Sequence, residues 1–489
     1  MTLPLSVLSV PSGRENHTLR DPSSSPPLSR SPCTSSYHMH FQSQGGTARL
    51  CPGAVAGEHT WGHATSADMV TWTEHEVTCI QSSSGGGIAL DPGALGNFTA
   101  AALGSSPTAS GPGAKVGLEL WLNDDPALLA PWRVHDAGDG CYGTTTKAGA
   151  VICPSMVPPE LDAGYIGDNY FWQTGAVGNR TYFLLSGSTV CAPAAPWCGY
   201  PHGKTPMALL FSSRNLLDWR FATVWYRGEP TAGLPGDDRL DVPDTFELPD
   251  GRQAFIWLTS SYSVYSIGAV NASTGAFEVG PEGSFDVGAL FCQQSFTTPD
   301  GRRVSVGWIR STPATQSLAR EIVAVGDELH FRPIAELTKL NGDIVKDANI
   351  TLGPDAAEIM PAGTPAARIT LLMQCAAAPV ACEAAVAVGG TVVAIARGDK
   401  PRQYVLTAGS TRLPFIAVSA APVKLDLFVD STILEVFAGD GARALTLIAS
   451  SAGGAIAVSG KGGAIAEVKA WPLRAPSTSA AAPPGRAGS

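Results

Sequence analysis

The chain has 489 residues, enough for two or three domains rather than a single core. Charged residues make up only 15% of it, whereas Gly (54) and Pro (38) are plentiful, a mix that suits short strands and tight turns better than long surface helices. A formal charge of −10 argues against nucleic acid and for a neutral or weakly charged partner, and no apolar run approaches the roughly 20 residues of a membrane span.

Residues 1–36 are rich in Ser and Pro and read as a loop-like or disordered segment, or as the product of a misassigned first exon. From 37 to 340 the chain repeats short apolar or aromatic runs separated by Gly, Asp and Pro. Strands are expected at 116–122, 181–186, 254–259, 263–270 and 304–309, with no helical stripe between them. Many short strands at this spacing mean a sandwich, a barrel or a propeller. A looser stretch at 341–347 precedes a second β-rich segment, with strands expected at 369–373, 384–388, 391–396, 424–429 and 433–437 and further strands out to Trp471. Residues 475–489 are Ala, Pro, Ser and Gly and read as a disordered tail. The organisation is therefore two all-β domains, 37–340 and 341–474, with a flanking segment at each end.

Ten cysteines form an even count, and none sits in a CxxC pair of the kind zinc sites use. Cys191 with Cys198, and Cys375 with Cys382, are close enough to bridge short loops; buried free thiols are the other reading. Five of the nine asparagines begin an N-x-Ser/Thr sequon: Asn16, Asn97, Asn179, Asn271 and Asn349. That excess points to a glycosylated, secreted or vacuolar protein. The N-terminal MTLPLSVLSV, with no basic residue and a short apolar stretch, does not have the form of a signal peptide.

Several segments, in order, resemble glycoside hydrolase family 32, the invertases and fructan hydrolases. Tyr37-His38-Met39-His40-Phe41-Gln42 is similar to the family's YHLFYQ strand, and the run from Trp61 to Trp72, WGHATSADMVTW, is similar to WGHAxSxDLVHW. Gly96-Asn97-Phe98-Thr99-Ala100-Ala101 resembles the strand ending in FSGSA. Phe291-Cys292-Gln293-Gln294-Ser295-Phe296 resembles FYAxQSF, Arg302 to Trp308 resembles RRIxIGW, and Gln316 to Glu321 resembles QSxPREL. Val429 to Phe437, with Gly439-Asp440-Gly441, is similar to the hairpin VDRSxVEVFxNDG. The resemblance spans residues 37 to 473. It implies a five-bladed β-propeller followed by a C-terminal β-sandwich, with the site in the central funnel.

It also implies a retaining mechanism on a β-linked fructosyl unit, which needs two carboxyl groups about 5 Å apart. Gly167-Asp168-Asn169-Tyr170-Phe171-Trp172 stands at the family's RDPxxxW box, making Asp168 the carboxylate that binds sugar hydroxyls; the arginine and proline of the box are absent. Asp241-Val242-Pro243-Asp244-Thr245-Phe246 stands at ECPDFF, so Asp241 takes the acid position with one methylene fewer than glutamate. The nucleophile box WMNDPNG has its nearest counterpart in the run from Thr18 to Pro26, which places Asp21 as nucleophile. As sugar contacts the resemblance implies Gln42, Phe98, Thr99 and Trp308; each is also a candidate for packing within a propeller strand.

The leading reading is a β-fructofuranosidase that releases terminal fructose from sucrose or short fructans. The second is a catalytically inactive homologue that binds fructosides or serves as an interaction protein, since all three carboxylate boxes are altered. The expected partner is a small carbohydrate. The chemistry requires no metal or organic cofactor, and no nucleic acid or membrane span is expected.

Overall fold

A computed structural model describes residues 3–10, 36–43, 60–75, 78–80, 85–90, 98, 100–105, 117–125, 128–135, 150–161, 163, 166–175, 179–190, 205–228, 240–259, 262–311, 315–375, 382–418, 422–449 and 454–475. Among them the regular structure is strand, with only short 3₁₀ turns between.

The first blade comprises β1 (Leu3–Val10), β2 (Ser36–Ser43), β3 (Thr60–Ser66) and β4 (Thr73–Glu74). The second comprises β5 (Gly85–Leu90), β6 (Ala100–Ser105), β7 (Leu118–Asn123) and β8 (Arg133–Val134). The third has β9 (Gly167–Thr174), β10 (Thr181–Val190), β11 (Thr205–Ser213) and β12 (Trp219–Arg227). The fourth has β13 (Asp241–Glu247), β14 (Gln253–Leu258), β15 (Ser263–Val270), β16 (Phe277–Glu278) and β17 (Glu282–Asp286). The fifth has β18 (Leu290–Thr297), β19 (Arg303–Ile309), β20 (Thr315–Gln316), β21 (Arg320–Val325) and β22 (Glu328–Pro333). The first strands of the blades, β1, β5, β9, β13 and β18, touch in sequence and β18 returns to β1, so the ring closes. This is a five-bladed β-propeller, and closure removes the exposed sheet edges that an open array would leave.

One expectation is corrected. Residues 3–10 are a strand, although the sequence placed them in an unstructured segment. The run LPLSVLSV is too short to declare itself alone; antiparallel pairing with β2, from Leu3 opposite Gln42 to Val10 opposite Ser36, gives it a place.

The second unit begins after the 3₁₀ turn Ala335–Leu340. Its strands are β23 (Lys346–Thr351), β24 (Ala357–Met360), β25 (Ala366–Gln374), β26 (Glu383–Val388), β27 (Thr391–Arg397) and β28 (Gln403–Ala408). They continue with β29 (Thr411–Ile416), β30 (Val423–Asp430), β31 (Ile433–Ala438), β32 (Arg443–Ile448), β33 (Ile456–Lys461) and β34 (Ile465–Pro472). Two six-stranded sheets result, ordered β23-β34-β25-β30-β31-β32 and β24-β33-β26-β27-β28-β29. Alternating inward residues such as Ile369, Leu371, Val386, Leu406, Leu425 and Val436 form one apolar core between them, the build of a β-sandwich. Cys375 and Cys382 are joined by a disulfide at the end of β25.

The two units share a buried ionic joint. The Arg320 guanidinium, at the start of β21, donates to Asp286 (2.9 Å), Glu435 (2.7 Å) and Thr446 (2.7 Å), the last two in the sandwich. Glu435 also accepts from the backbone N–H of Leu318 (2.7 Å). Arg320 is 1% exposed, so its partners satisfy charges that water does not reach.

Candidate active site

Every innermost strand of the propeller carries a β-bulge near its N-terminal end. In β9, Gly167 pairs with Gly187 but the next regular pair is Tyr170 with Leu185. In β13, Asp241 pairs with Leu258 and then Asp244 with Ile256; in β18, Phe291 pairs with Trp308 and then Gln294 with Val306. β1 slips between Pro4 and Ser6, and β5 between Gly85 and Gly87. The extra residue lies on the inner strand each time. Bulges of this kind re-aim side chains and gather beside active sites. Three of them force a non-glycine residue to positive φ: Asp168 (45°), Val242 (45°) and Cys292 (48°). A β-branched valine there is sterically costly, of order 1–3 kcal/mol.

The two sequence-derived carboxylates stand at the bulges of two adjacent inner strands. Asp168 is the bulge residue of β9, corresponding to Val242 in β13, and Asp241 corresponds to Gly167. Gly187 lets the two strands close on each other. A Cβ there would meet the Leu240 carbonyl oxygen at 2.3 Å and the Asp241 Cα at 3.4 Å. Gly187 is itself the partner of Gly167, one residue before Asp168, so the start of β13 rests on β10 at the level of the β9 bulge. Asp241 is buried, at 1% exposure, and Asp168 is half-buried.

Just past the bulges, polar side chains tie the inner strands together. Arg303, on β19, donates to Asp244 (2.9 Å), to the Tyr170 hydroxyl (2.8 Å), and to the Ser295 hydroxyl (2.7 Å) and carbonyl (3.1 Å). The Ser295 N–H (2.8 Å) and hydroxyl both donate to Asp244. Burial pushes the Asp244 carboxyl up, and Arg303 and Ser295 oppose that rise. The Gln294 amide donates to the Asn169 carbonyl (3.3 Å), and the Asn169 amide to Leu103 in the second blade (3.2 Å). The bulge at Asp168 is therefore held from both sides.

The other sequence candidates divide. Gln42, the last but one residue of β2, pairs with Leu3 beside the bulged end of β1. Trp308 is 7% exposed and packs edge-on against Phe291 (5.5 Å), with Val242 and Leu258 in the same small cluster. Phe98 immediately precedes the segment of β6, one strand out from the channel, and packs against the core between the second and third blades with Arg133 over its ring (5.7 Å). The innermost strand of that blade is β5, whose sequence GGGIAL gives little strand signal. Thr99 and Asp21 lie outside the described residues; Asp21 belongs to the connection from β1 to β2. Gly187, Arg303 and Tyr170 were given no role from the sequence, because a close approach and a cross-blade bond have no local signature. Among the described residues no group of three or more His, Cys, Asp or Glu is placed to hold a metal ion, and no helix is long and apolar enough to cross a membrane.

Asp168 and Asp241 thus stand at bulges of adjacent inner strands in a five-bladed propeller that is followed by a β-sandwich. The family model Glycosyl hydrolases family 32 N-terminal domain matches residues 30–87 and 197–323, a range that includes Asp241, Ser295 and Arg303 but not Asp168. Sucrose-6-phosphate hydrolase of Salmonella typhimurium is 24% identical over 347 residues, 63% of each chain, and that of Escherichia coli is 24% identical over 321 residues. The chain thus spans less than two thirds of the length of these curated relatives. Among solved structures, Bombyx mori GH32 beta-fructofuranosidase superposes with a TM-score of 0.65 at 19% identity, covering 90% of this chain and 89% of that one. Fructan 1-exohydrolase IIa from Cichorium intybus, in complex with 1-kestose, gives 0.63 at 15%, covering 90% and 93%. In matched sequence within the propeller, and in fold over both units, the chain is similar to glycoside hydrolase family 32.

Proposed function

We propose that the chain is a retaining β-fructofuranosidase-type hydrolase that releases terminal fructose from sucrose or short fructans. The observation that supports this reading is the placement of Asp168 and Asp241 at the bulges of adjacent inner strands, with Gly187 of β10 packed against the start of β13. Asp241 protonates the leaving oxygen and later deprotonates the attacking water; Asp168 holds the fructosyl hydroxyls and strengthens that grip as positive charge develops at the anomeric carbon. The nucleophile is Asp21, supplied from the β1–β2 connection.

A second reading, an inactive fructoside-binding homologue, is supported by the three altered carboxylate boxes and by a β1 strand that carries no carboxylate. The assay that separates the two is fructose release from sucrose, sucrose 6-phosphate and short inulin by the parent, Asp168→Asn, Asp241→Asn and Asp21→Asn proteins. Release by the parent, reduced at least about a hundredfold in each variant, supports the hydrolase. A folded parent that binds fructosides without releasing fructose supports the binder.

We further propose secretory or vacuolar residence. The Cys375–Cys382 bridge, disulfide-bonded Cys79 and Cys153, and exposed sequon residues Asn179 and Asn349 support it. Glycosidase digestion followed by a mass measurement tests it.

A further inference from the structure

We propose that Arg303 is a positioning residue for the carboxylate pair, acting through Tyr170 and Asp244. The inference rests on the fructosidase reading and deepens it. Asp168 and Asp241 sit on separate strands of separate blades, so nothing in either hairpin fixes their separation. The acid Asp241 and the sugar-holding Asp168 must meet one fructosyl unit, and a shift of about 1 Å in a reacting group costs about a hundredfold.

Arg303 supplies the missing link. Tyr170 and Asp244 are the first regularly paired residues past the bulges of β9 and β13, two residues after Asp168 and three after Asp241. A single guanidinium nitrogen of Arg303 donates to both, at 2.8 and 2.9 Å. Its Nε and that same nitrogen hold Ser295 on β18, so one rigid fork spans the inner strands of the third, fourth and fifth blades. The fork cannot swing, since it stacks over Phe246 (4.4 Å) and Tyr170 (5.6 Å). Ser295 meets Asp244 through both its N–H and its hydroxyl, which leaves Asp244 no freedom to follow a different partner. Lysine could keep the charge but not this three-strand geometry, being a point donor on a flexible stem.

The test is steady-state kinetics on fructose release by the full chain and by Tyr170→Phe and Arg303→Lys, with thermal unfolding alongside. Tyr170→Phe removes only the bond that reaches β9 and keeps the ring. It is expected to lower kcat about tenfold with KM within about twofold, and Arg303→Lys to lower kcat about a hundredfold with a similar KM. A fall in Tm with kcat per folded molecule unchanged in both variants would reduce Arg303 to a structural brace and overturn the proposal. If the folded parent releases no fructose, the fructosidase reading fails, and crystal structures of the parent and Tyr170→Phe decide the geometric claim. A changed Asp168–Asp241 separation upholds it, and an unchanged one overturns it.

Discussion

The propeller and the sandwich are both made of antiparallel hairpins, yet they keep their irregular backbone in different places. Across the sandwich the ladders run without slippage except between Glu358 and Met360 of the edge strand β24. Its non-glycine residues at positive φ, Arg402, Ser431 and Asp440, are exposed and lie in turns, where a reversal of the chain demands them. In the propeller the inner strand of every blade is broken within the sheet, and Asp168, Val242 and Cys292 adopt positive φ at three of those breaks. The cores differ likewise. The sandwich core is mostly aliphatic, with Tyr404 and Phe415 among it, whereas the first blade buries His38, His40 and His63, with His75 partly buried beside them. Irregularity that topology does not require, together with buried polar groups, marks the unit that carries the chemistry.

The largest expected effect is on acid stability. His40 and His63 stack at 4.4 Å, His38 hydrogen-bonds His63 (2.9 Å), and neither ring nitrogen of His40 has a hydrogen-bond partner among the described residues. Burial, reinforced by His38, lowers His40 to about 3; burial and His75 lower His38 to about 4. These folded-state values lie below the unfolded value near 6.5, so unfolding takes up protons below it. Stability is fully present above about pH 6.5 and is lost as the pH falls towards 3–4, at about 1.4 kcal/mol per pH unit for each histidine. The propeller should therefore unfold at a higher pH than the sandwich. His40→Phe, which restores the residue of the YHLFYQ pattern, should reduce the slope of stability against pH by one proton. Urea unfolding followed at pH 4, 5 and 7 measures it, and an unchanged slope would show that His40 is not among the groups that resist protonation.

A smaller effect in stability, but a larger one in rate, is expected from Gly187→Ala. The added methyl would collide with the Leu240 carbonyl, and moving that backbone costs about 1–3 kcal/mol. The motion carries Asp241 away from the β9 bulge. Fructose release should fall by about a hundredfold with a modest drop in Tm. Equal loss of rate and of folded fraction would mean that the close approach serves packing alone.

Much of this was legible in the sequence. The segments from Tyr37 to Gln42, Trp61 to Trp72, Arg303 to Trp308 and Val429 to Phe437 fall on β2, on β3 with the turn after it, on β19 and on the β30–β31 hairpin. Asp168 and Asp241 were placed by motif, and the strands bearing them begin there. What was hidden depends on a second strand. A bulge is a mismatch between partners, so β9 alone does not show that Asp168 is the extra residue. The β5 run is glycine-rich, which weakens its strand signal, so the innermost strand of the second blade was not foreseen. Arg303 reads as a sheet residue until the fold brings Tyr170 to it, 133 positions away.

The smallest expected effect sharpens the comparison from the sandwich side. Ser431, at φ 53°, is exposed at the turn between β30 and β31, and its N–H donates to the Pro365 carbonyl (2.8 Å). Glycine adopts that conformation without the Cβ penalty but loses more freedom on folding. The two terms nearly cancel, and Ser431→Gly should change stability by no more than about 0.5 kcal/mol. Fructose release should be unaltered, because the turn has no bond to the propeller bulges. The corresponding change in the channel, Val242→Gly, relieves a costlier conformation but also frees the residue beside Asp241 and removes a side chain packed against Trp308. A loss of rate in Val242→Gly, set against no loss in Ser431→Gly, would show that positive φ is held at the channel mouth for geometry and in the sandwich only for chain reversal. Equal behaviour of the two would mean that the bulges, like the turns, do no more than let the chain pass.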